Sequence, residues 1–301
     1  MLDLNRPIVN DRATTRLKRL AQQRGATLVP GAANALFARV AEEAGFEAVY
    51  VTGAGVANMH LGAPDIGLTT VTEVAEVTAA VADAVSIPII VDADTGFGNA
   101  VNVTRTVRLL ERAGAAGIQL EDQVFPKKCG HFKGKDVIPL AEMLQKIHAA
   151  ADTRIDPDLQ IIARTDAYAI EGFEAALERG AAFVEAGADV VFVEAPTRLE
   201  EIARITQAIS APHLVNIVYG GVTPEIPREQ LQAMGFSFVL YANAMLQAAL
   251  KAAQDVMVAL RNDGSLAAVR DRLASFEERQ RVVDKTRFDR LEALYRVEAA
   301  S

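Results

Sequence analysis

The chain has 301 residues, half of them hydrophobic, and its 31 lysines and arginines against 39 aspartates and glutamates leave a net charge of −8. With no basic stripe, nucleic acid is not an expected partner; no run reaches the ~18 apolar residues of a membrane span; and a single cysteine excludes an internal disulfide. The first twenty residues hold no apolar signal core, so a soluble, cytoplasmic protein is expected.

Eight short, almost continuously apolar runs recur along the chain, at 26–29, 48–51, 87–91, 117–120, 160–163, 190–193, 213–216 and 238–241. They read as buried parallel strands. Between them the spacing predicts helices over 34–44, 70–85, 101–113, 139–153, 173–186 and 199–209. Several helices end on the same phrase, with Gly45, Gly114, Gly187 and Gly235 suited to the left-handed residue before the next strand. Strict strand–helix alternation with eight repeats predicts a closed (β/α)8 TIM-type barrel. A doubly wound open sheet is the alternative, but no GxGxxG follows an early strand. Beyond 242 the texture turns helical, with helices expected over 243–261, 266–273 and 276–295. The expectation is one barrel domain over 1–301, with 244–301 a helical extension used in oligomerisation.

In a closed barrel the active site is built at the C-terminal ends of the strands. Nearly every run here delivers polar groups to that rim: Thr52-Gly53-Ala54-Gly55, Asp92-Ala93-Asp94, Glu121-Asp122, Arg164-Thr165-Asp166, Glu194, Asn216 and Tyr241-Ala242-Asn243. Asp92 and Asp94 are two apart and so share one side of an extended strand. With Glu121, and with Asp65 from a neighbouring loop, they form an all-oxygen set that favours Mg2+ or Mn2+ over zinc. Alternatively, Asp94 caps the following helix and Asp92 pairs with a lysine. Arg164 suits a bidentate grip on a substrate carboxylate, or an ion pair with Glu194. The glycine-rich turn at Thr52 offers backbone N–H groups to an anion. Cys129, in Lys127-Lys128-Cys129-Gly130-His131, sits where positive charge favours the thiolate. His131 reads equally as a substrate contact or a plain loop residue, and His60 and His148 as ordinary surface or helix residues.

Taken in order and spacing, Val91-Asp92-Ala93-Asp94-Thr95-Gly96-Phe97-Gly98, Glu121-Asp122-Gln123, Lys127-Lys128-Cys129-Gly130-His131 and Ala163-Arg164-Thr165-Asp166 resemble the isocitrate lyase/phosphoenolpyruvate mutase superfamily over about 16–259. The cysteine loop resembles that of its carbon–carbon lyase branch. The resemblance implies a barrel whose eighth helix is swapped between subunits of a dimer-of-dimers homotetramer, and Mg2+ held near Asp92, Asp94, Asp65 and Glu121, partly through water. It implies a substrate held by Thr52, Gly53, Ala54, Gly130, Arg164, Glu194 and Asn216, and a 125–135 loop that closes over it. It also implies Tyr50 as base and Cys129 as the acid that protonates the leaving carbanion, an oxo-acid-lyase chemistry. Lyases of the branch that act on a tricarboxylate carry extra arginines, one where this chain has Gln247 and another near Phe276, and both are absent here. A dicarboxylate resembling 2,3-dimethylmalate is therefore the expected substrate, giving a 2-oxo acid (pyruvate) and a carboxylic acid. The alternatives are 2-methylisocitrate cleavage, oxaloacetate hydrolysis, carboxyphosphonoenolpyruvate rearrangement, or a barrel that binds a metabolite without turnover. Two departures from the pattern are Tyr219, where many lyases have glutamate, and Tyr241-Ala242-Asn243, which is similar to the Trp-Ala-Asn of the phosphonate mutases.

Overall fold

The computed structural model describes residues 11–128, 130 and 134–296. Its eight strands are β1 (Thr27–Ala32), β2 (Val49–Val51), β3 (Ile89–Asp92), β4 (Gly117–Glu121), β5 (Gln160–Thr165), β6 (Val190–Val193), β7 (His213–Asn216) and β8 (Phe238–Tyr241). They pair in parallel in chain order, and β8 returns to β1 with Thr27 beside Phe238 and Pro30 beside Tyr241. That closure makes the fold the expected (β/α)8 barrel and excludes the open sheet. β1 runs three residues further than its apolar run, through Pro30-Gly31-Ala32.

The two faces of each strand part their side chains as a period of two requires. Val49, Val51, Ile89, Val91, Ile118, Leu120, Ile161 and Ala163 face outward and pack under the surrounding helices against Val74, Val81, Val103, Leu110, Met143 and Ile147. Tyr50, Ile90, Ile162, Phe192, Leu214, Phe238 and Leu240 face inward. Each such side chain, removed from water, contributes roughly 1.5–3 kcal/mol. The N-terminal end of this interior is stopped by Leu17 and Leu20 of a helix, Ala13–Gln23, that the sequence reading did not anticipate. A β-carbon on Gly117, the first residue of β4, would lie 2.8 Å from Leu17 Cδ2. The inward register, carried on by two residues, puts Asp92, Glu121, Arg164, Glu194, Asn216 and Ala242 on the opposite rim.

The helices over Ala35–Glu43, Val71–Ala84, Ala100–Arg112, Leu140–Thr153, Phe173–Glu185 and Leu199–Ala208 agree with the periodicity to within a residue or two at most ends. Val71–Ala84 starts from a reciprocal capping box between Thr70 and Glu73. Gly114 and Gly187 end their helices at φ 101° and 105°, a conformation that side chains rarely adopt.

The chain divides into two compact units, Met1–Met245 and Leu246–Ser301. In the second, the expected helix over 276–295 is two helices, Phe276–Val282 and Lys285–Leu294, and the expected helix over 266–273 is a 3-10 turn, Ala267–Arg272. The break falls at Asp284, in the left-handed region at φ 54°, which ends the run of helical dihedrals. Val256 and Val269 are buried there, whereas Leu250, Met257, Val258, Phe276 and Phe288 are exposed.

Candidate active site

Eleven of the residues singled out in the sequence line one cavity at the C-terminal rim: Tyr50, Thr52, Ala54, Asp65, Asp92, Gly130, Arg164, Glu194, Asn216, Ala242 and Asn243. Phe192 and Leu240 complete its wall. Gly53, Asp94 and Glu121 are buried and joined to the lining: Gly53 N donates to Asp92 Oδ2 at 3.3 Å, Asp94 N to Asp92 Oδ1 at 3.1 Å, and Glu121 pairs with Arg164. Cys129 and His131 lie outside the described residues. His60 is exposed beside Glu73, and His148 is on the Leu140–Thr153 helix.

The acidic side is organised by two groups to which the sequence reading gives no role there. Lys127, almost wholly buried, pairs with Asp65 and, at 2.8 Å, with Asp94. Burial opposes its charge, but Asp94, Glu121, Asp92 and Asp65 outweigh burial and hold the ammonium well above its ordinary pKa. Neither alternative for the aspartates is what forms: Asp94, not Asp92, meets the lysine, and Asn99 caps the following helix. Burial, opposed by Lys127, raises the Asp94 carboxyl to about 7. Gln119, fully buried on β4, accepts the Tyr50 hydroxyl at 2.7 Å and donates to Asp92 Oδ1 at 3.2 Å. Its signal was legible: an amide two residues before Glu121, on the inward side of an apolar strand. Burial, reinforced by Asp92, holds the Tyr50 phenol well above its ordinary value.

Arg164, at the end of β5, is fixed on three sides. Its Nε and Nη2 donate to the two oxygens of Asp166 at 2.9 and 3.1 Å. Nη1 lies 3.2 Å from Glu121 and Nε 3.7 Å from Glu194, while the guanidinium carbon stands 5.4 Å from the Phe192 ring centre. Both readings of this arginine are thus compatible: it is ion-paired, and it faces the cavity. Beneath it Asp122 accepts from Thr165 Oγ1 at 2.7 Å, from Asp166 N at 2.9 Å and from Arg179 Nη1 at 3.3 Å.

The loop that carries the cysteine is closed at its base by a bridge between Gln123 and Val137. Its Lys127 is spent on the acidic side, and Lys128 Nζ donates to Gly134 O at 2.7 Å. Gly130 lies so close to Glu194 and Arg164 that any β-carbon there would overlap both.

The donor set suits a hard divalent cation. Four carboxylates gather around one ammonium, and neither oxygen of Glu121 has a hydrogen-bond partner among the described residues. No three acidic, histidine or cysteine side chains among those residues close around a single point.

The sequence model of the phosphoenolpyruvate phosphomutase family matches residues 17–261. The chain is 48% identical to a 2,3-dimethylmalate lyase of Eubacterium barkeri over 87% of its length and 91% of that protein. It is 46% identical to a 2-methylisocitrate lyase of Aeropyrum pernix over 85% and 82%. Among solved structures, a 2,3-dimethylmalate lyase described as a PEP mutase/isocitrate lyase superfamily member superposes with a TM-score of 0.89 at 34% identity, covering 94% of this chain and 95% of that one. A phosphonopyruvate hydrolase in complex with oxalate and Mg++ does so with a TM-score of 0.86 at 30% identity, covering 95% and 99%.

Proposed function

The chain belongs to the phosphoenolpyruvate phosphomutase family, and from that premise we propose that it is a divalent-cation-dependent lyase that cleaves the C2–C3 bond of a substituted 2-hydroxy dicarboxylate, with 2,3-dimethylmalate the leading substrate. The observation that carries this reading is the mixed lining of the cavity. Arg164 is the cation among its lining residues, while Phe192, Leu240 and Ala242 form an apolar wall. One guanidinium suits a carboxylate, and an apolar wall suits alkyl substituents. A third carboxylate calls for further cations, which Gln247 and Phe276 do not supply. Similarity to the Eubacterium barkeri enzyme over most of both chains supports the same reading.

Arg164, aimed by Asp166, grips the carboxylate that does not react. Asn216 and Asn243 present buried carbonyl oxygens that lack a donor among the described residues, suited to a substrate hydroxyl. Asp92, Asp94, Asp65 and Glu121 would hold Mg2+, or Mn2+, partly through water. When bound, the cation supplies positive charge that polarises the hydroxyl and offsets the carboxylates around Tyr50. Tyr50, after releasing its own phenolic proton to solvent, takes the hydroxyl proton as the phenolate, the C2–C3 bond opens, and its electron pair passes into the C3 carboxylate. Cys129 returns a proton to C3, leaving pyruvate and propionate from 2,3-dimethylmalate. Gly130, its chain neighbour, lines the cavity, which supports that assignment; His131 and the backbone of Thr52, Gly53 and Ala54 complete the proposed contacts.

The 125–135 loop is proposed to close over bound substrate. The helical unit beyond Leu246 bears exposed Leu250, Met257, Val258 and Phe288, apolar surface suited to exchange between subunits of a dimer-of-dimers tetramer. In this reading the unit is an extension of one barrel domain. No described helix is long and apolar enough to cross a membrane, and a cytoplasmic setting suits the single cysteine.

Similarity to the Aeropyrum pernix enzyme keeps 2-methylisocitrate as the second reading. A panel of substituted malates, isocitrates and oxaloacetate, with EDTA controls and mass spectrometry of paired products, decides between them. The proposal expects pyruvate with propionate from 2,3-dimethylmalate at the highest kcat/KM. Acetate and oxalate from oxaloacetate, with no substituted malate cleaved, would overturn it.

A further inference from the structure

Lys135 does not line the cavity, yet its side chain is only 3% exposed and it is the one described group that ties the cysteine loop to the anchor of Arg164. Its ammonium donates to Asp166 Oδ1 at 2.7 Å and also to the backbone carbonyl of Gly130. The same Asp166 Oδ1 accepts from Arg164 Nη2 at 3.1 Å, and Oδ2 accepts from Arg164 Nε at 2.9 Å. Gly130 in turn lies against Arg164 and Glu194. Loop backbone, ammonium, carboxylate and guanidinium therefore form one closed ring of contacts.

We propose that Lys135 is a positioning residue: by bridging Gly130 and Asp166 it fixes both the loop backbone over the cavity and the direction in which Arg164 presents its guanidinium to a substrate carboxylate. The charges make the bridge necessary. Arg164 faces Glu121, Asp166 and Glu194, three buried carboxylates. Lys135 shares Asp166 with Arg164. Without it, the guanidinium must answer that carboxylate alone, and the Gly130 carbonyl loses a charged donor. The position asks for reach as well as charge, because the ammonium must meet two acceptors on different segments.

The inference rests on the lyase reading for its kinetic arm only. Lys135→Met and Lys135→Arg are compared with the unaltered enzyme. Arg164 holds a carboxylate that does not react, so its grip is equal in ground and transition states and its loss raises KM. For Lys135→Met the expected result is a KM for 2,3-dimethylmalate raised about tenfold with kcat within about threefold, most of the loss being recovered in Lys135→Arg. A merely structural role would instead lower kcat at constant KM, through a smaller active fraction, and would overturn the proposal. Hydrogen exchange of ligand-free protein supplies a readout independent of turnover. Amides over 124–137 should exchange at least about tenfold faster in Lys135→Met, with those of Val71–Ala84 unchanged. Equal exchange over 124–137 would also overturn it. Isothermal titration with oxalate and Mg2+ covers an enzyme that cleaves no malate: about tenfold weaker binding in Lys135→Met upholds the positioning role even as the lyase reading fails, and unchanged binding refutes it.

Discussion

The Tyr50 hydroxyl donates to the Gln119 side chain across 2.7 Å inside the barrel, and the other end of that amide donates to Asp92 at 3.2 Å. One uncharged side chain thus sets the orientation of the proposed base relative to the proposed metal carboxylate. Gln119→Leu removes the acceptor and leaves a buried phenol without its partner. The expected cost is about 1–3 kcal/mol of folding stability, read by urea unfolding. The drop in kcat is expected to be roughly tenfold or more, with Mg2+ affinity lowered as well because Asp92 loses the amide that orients it. Unchanged kcat would show that Tyr50 needs no fixed direction.

Gly130→Ala places a β-carbon on Glu194 and Arg164. Since neither can retreat from its ion pairs without moving the other, the loop backbone must give way. A misplacement of about 1 Å costs on the order of a hundredfold in rate, and that loss in kcat/KM is expected with the circular-dichroism spectrum intact. Near-normal activity would mean that the loop does not act in the position described.

Removal of divalent cation tests the acidic side. EDTA is expected to abolish turnover, with recovery by Mg2+ or Mn2+ and little by Zn2+, because the donors are hard oxygens. Cys129→Ser should be inactive even in saturating Mg2+, yet bind the cation as the unaltered protein does. Cleavage in the presence of EDTA, or a serine variant with full activity, would contradict this account.

His213 gives a pH dependence that belongs to the fold and not to the chemistry. It is fully buried on β7, and its Nε2–H donates to Ile209 O at 2.9 Å. Burial lowers its pKa to about 4. The unfolded chain takes up a proton near pH 6.5 and the folded protein does not until about 4, so the unfolded state binds more protons between those values. The contribution of His213 is therefore full above about 6.5 and falls with pH, by roughly 3 kcal/mol at the lower limit. Asp94, raised to about 7, titrates over the same range with the opposite sign, so the test is the difference between the unaltered protein and His213→Asn: from pH 7.5 to 4.5 the gap in urea midpoint should change in favour of the variant, and a constant gap would contradict the assignment.

The barrel and its rim were legible because both follow from period-two strands. Once Ile90, Ile162, Phe192 and Leu214 are read as inward, Asp92, Arg164, Glu194 and Asn216 must share one end. The roles of Lys127 and Lys135 were not legible. Each is a surface-type residue in a loop, buried only because the loop folds over acids supplied by other strands, at Asp65, Asp94 and Asp166. Likewise the Ala13–Gln23 helix offers few apolar residues to a periodicity reading, yet its leucines fill the end of the barrel. Asp284 hid the break in the last helix, since nothing in its neighbours marks a left-handed residue.

Cleavage of 2,3-dimethylmalate in D2O with Mg2+ tests the central claim most directly, with mass spectrometry of both products. The account predicts equal amounts of pyruvate without carbon-bound deuterium and propionate with one deuterium at C2, since the proton that replaces the broken bond is delivered to C3 of the substrate. Absence of these products, or deuterium entering pyruvate while propionate carries none, would contradict it.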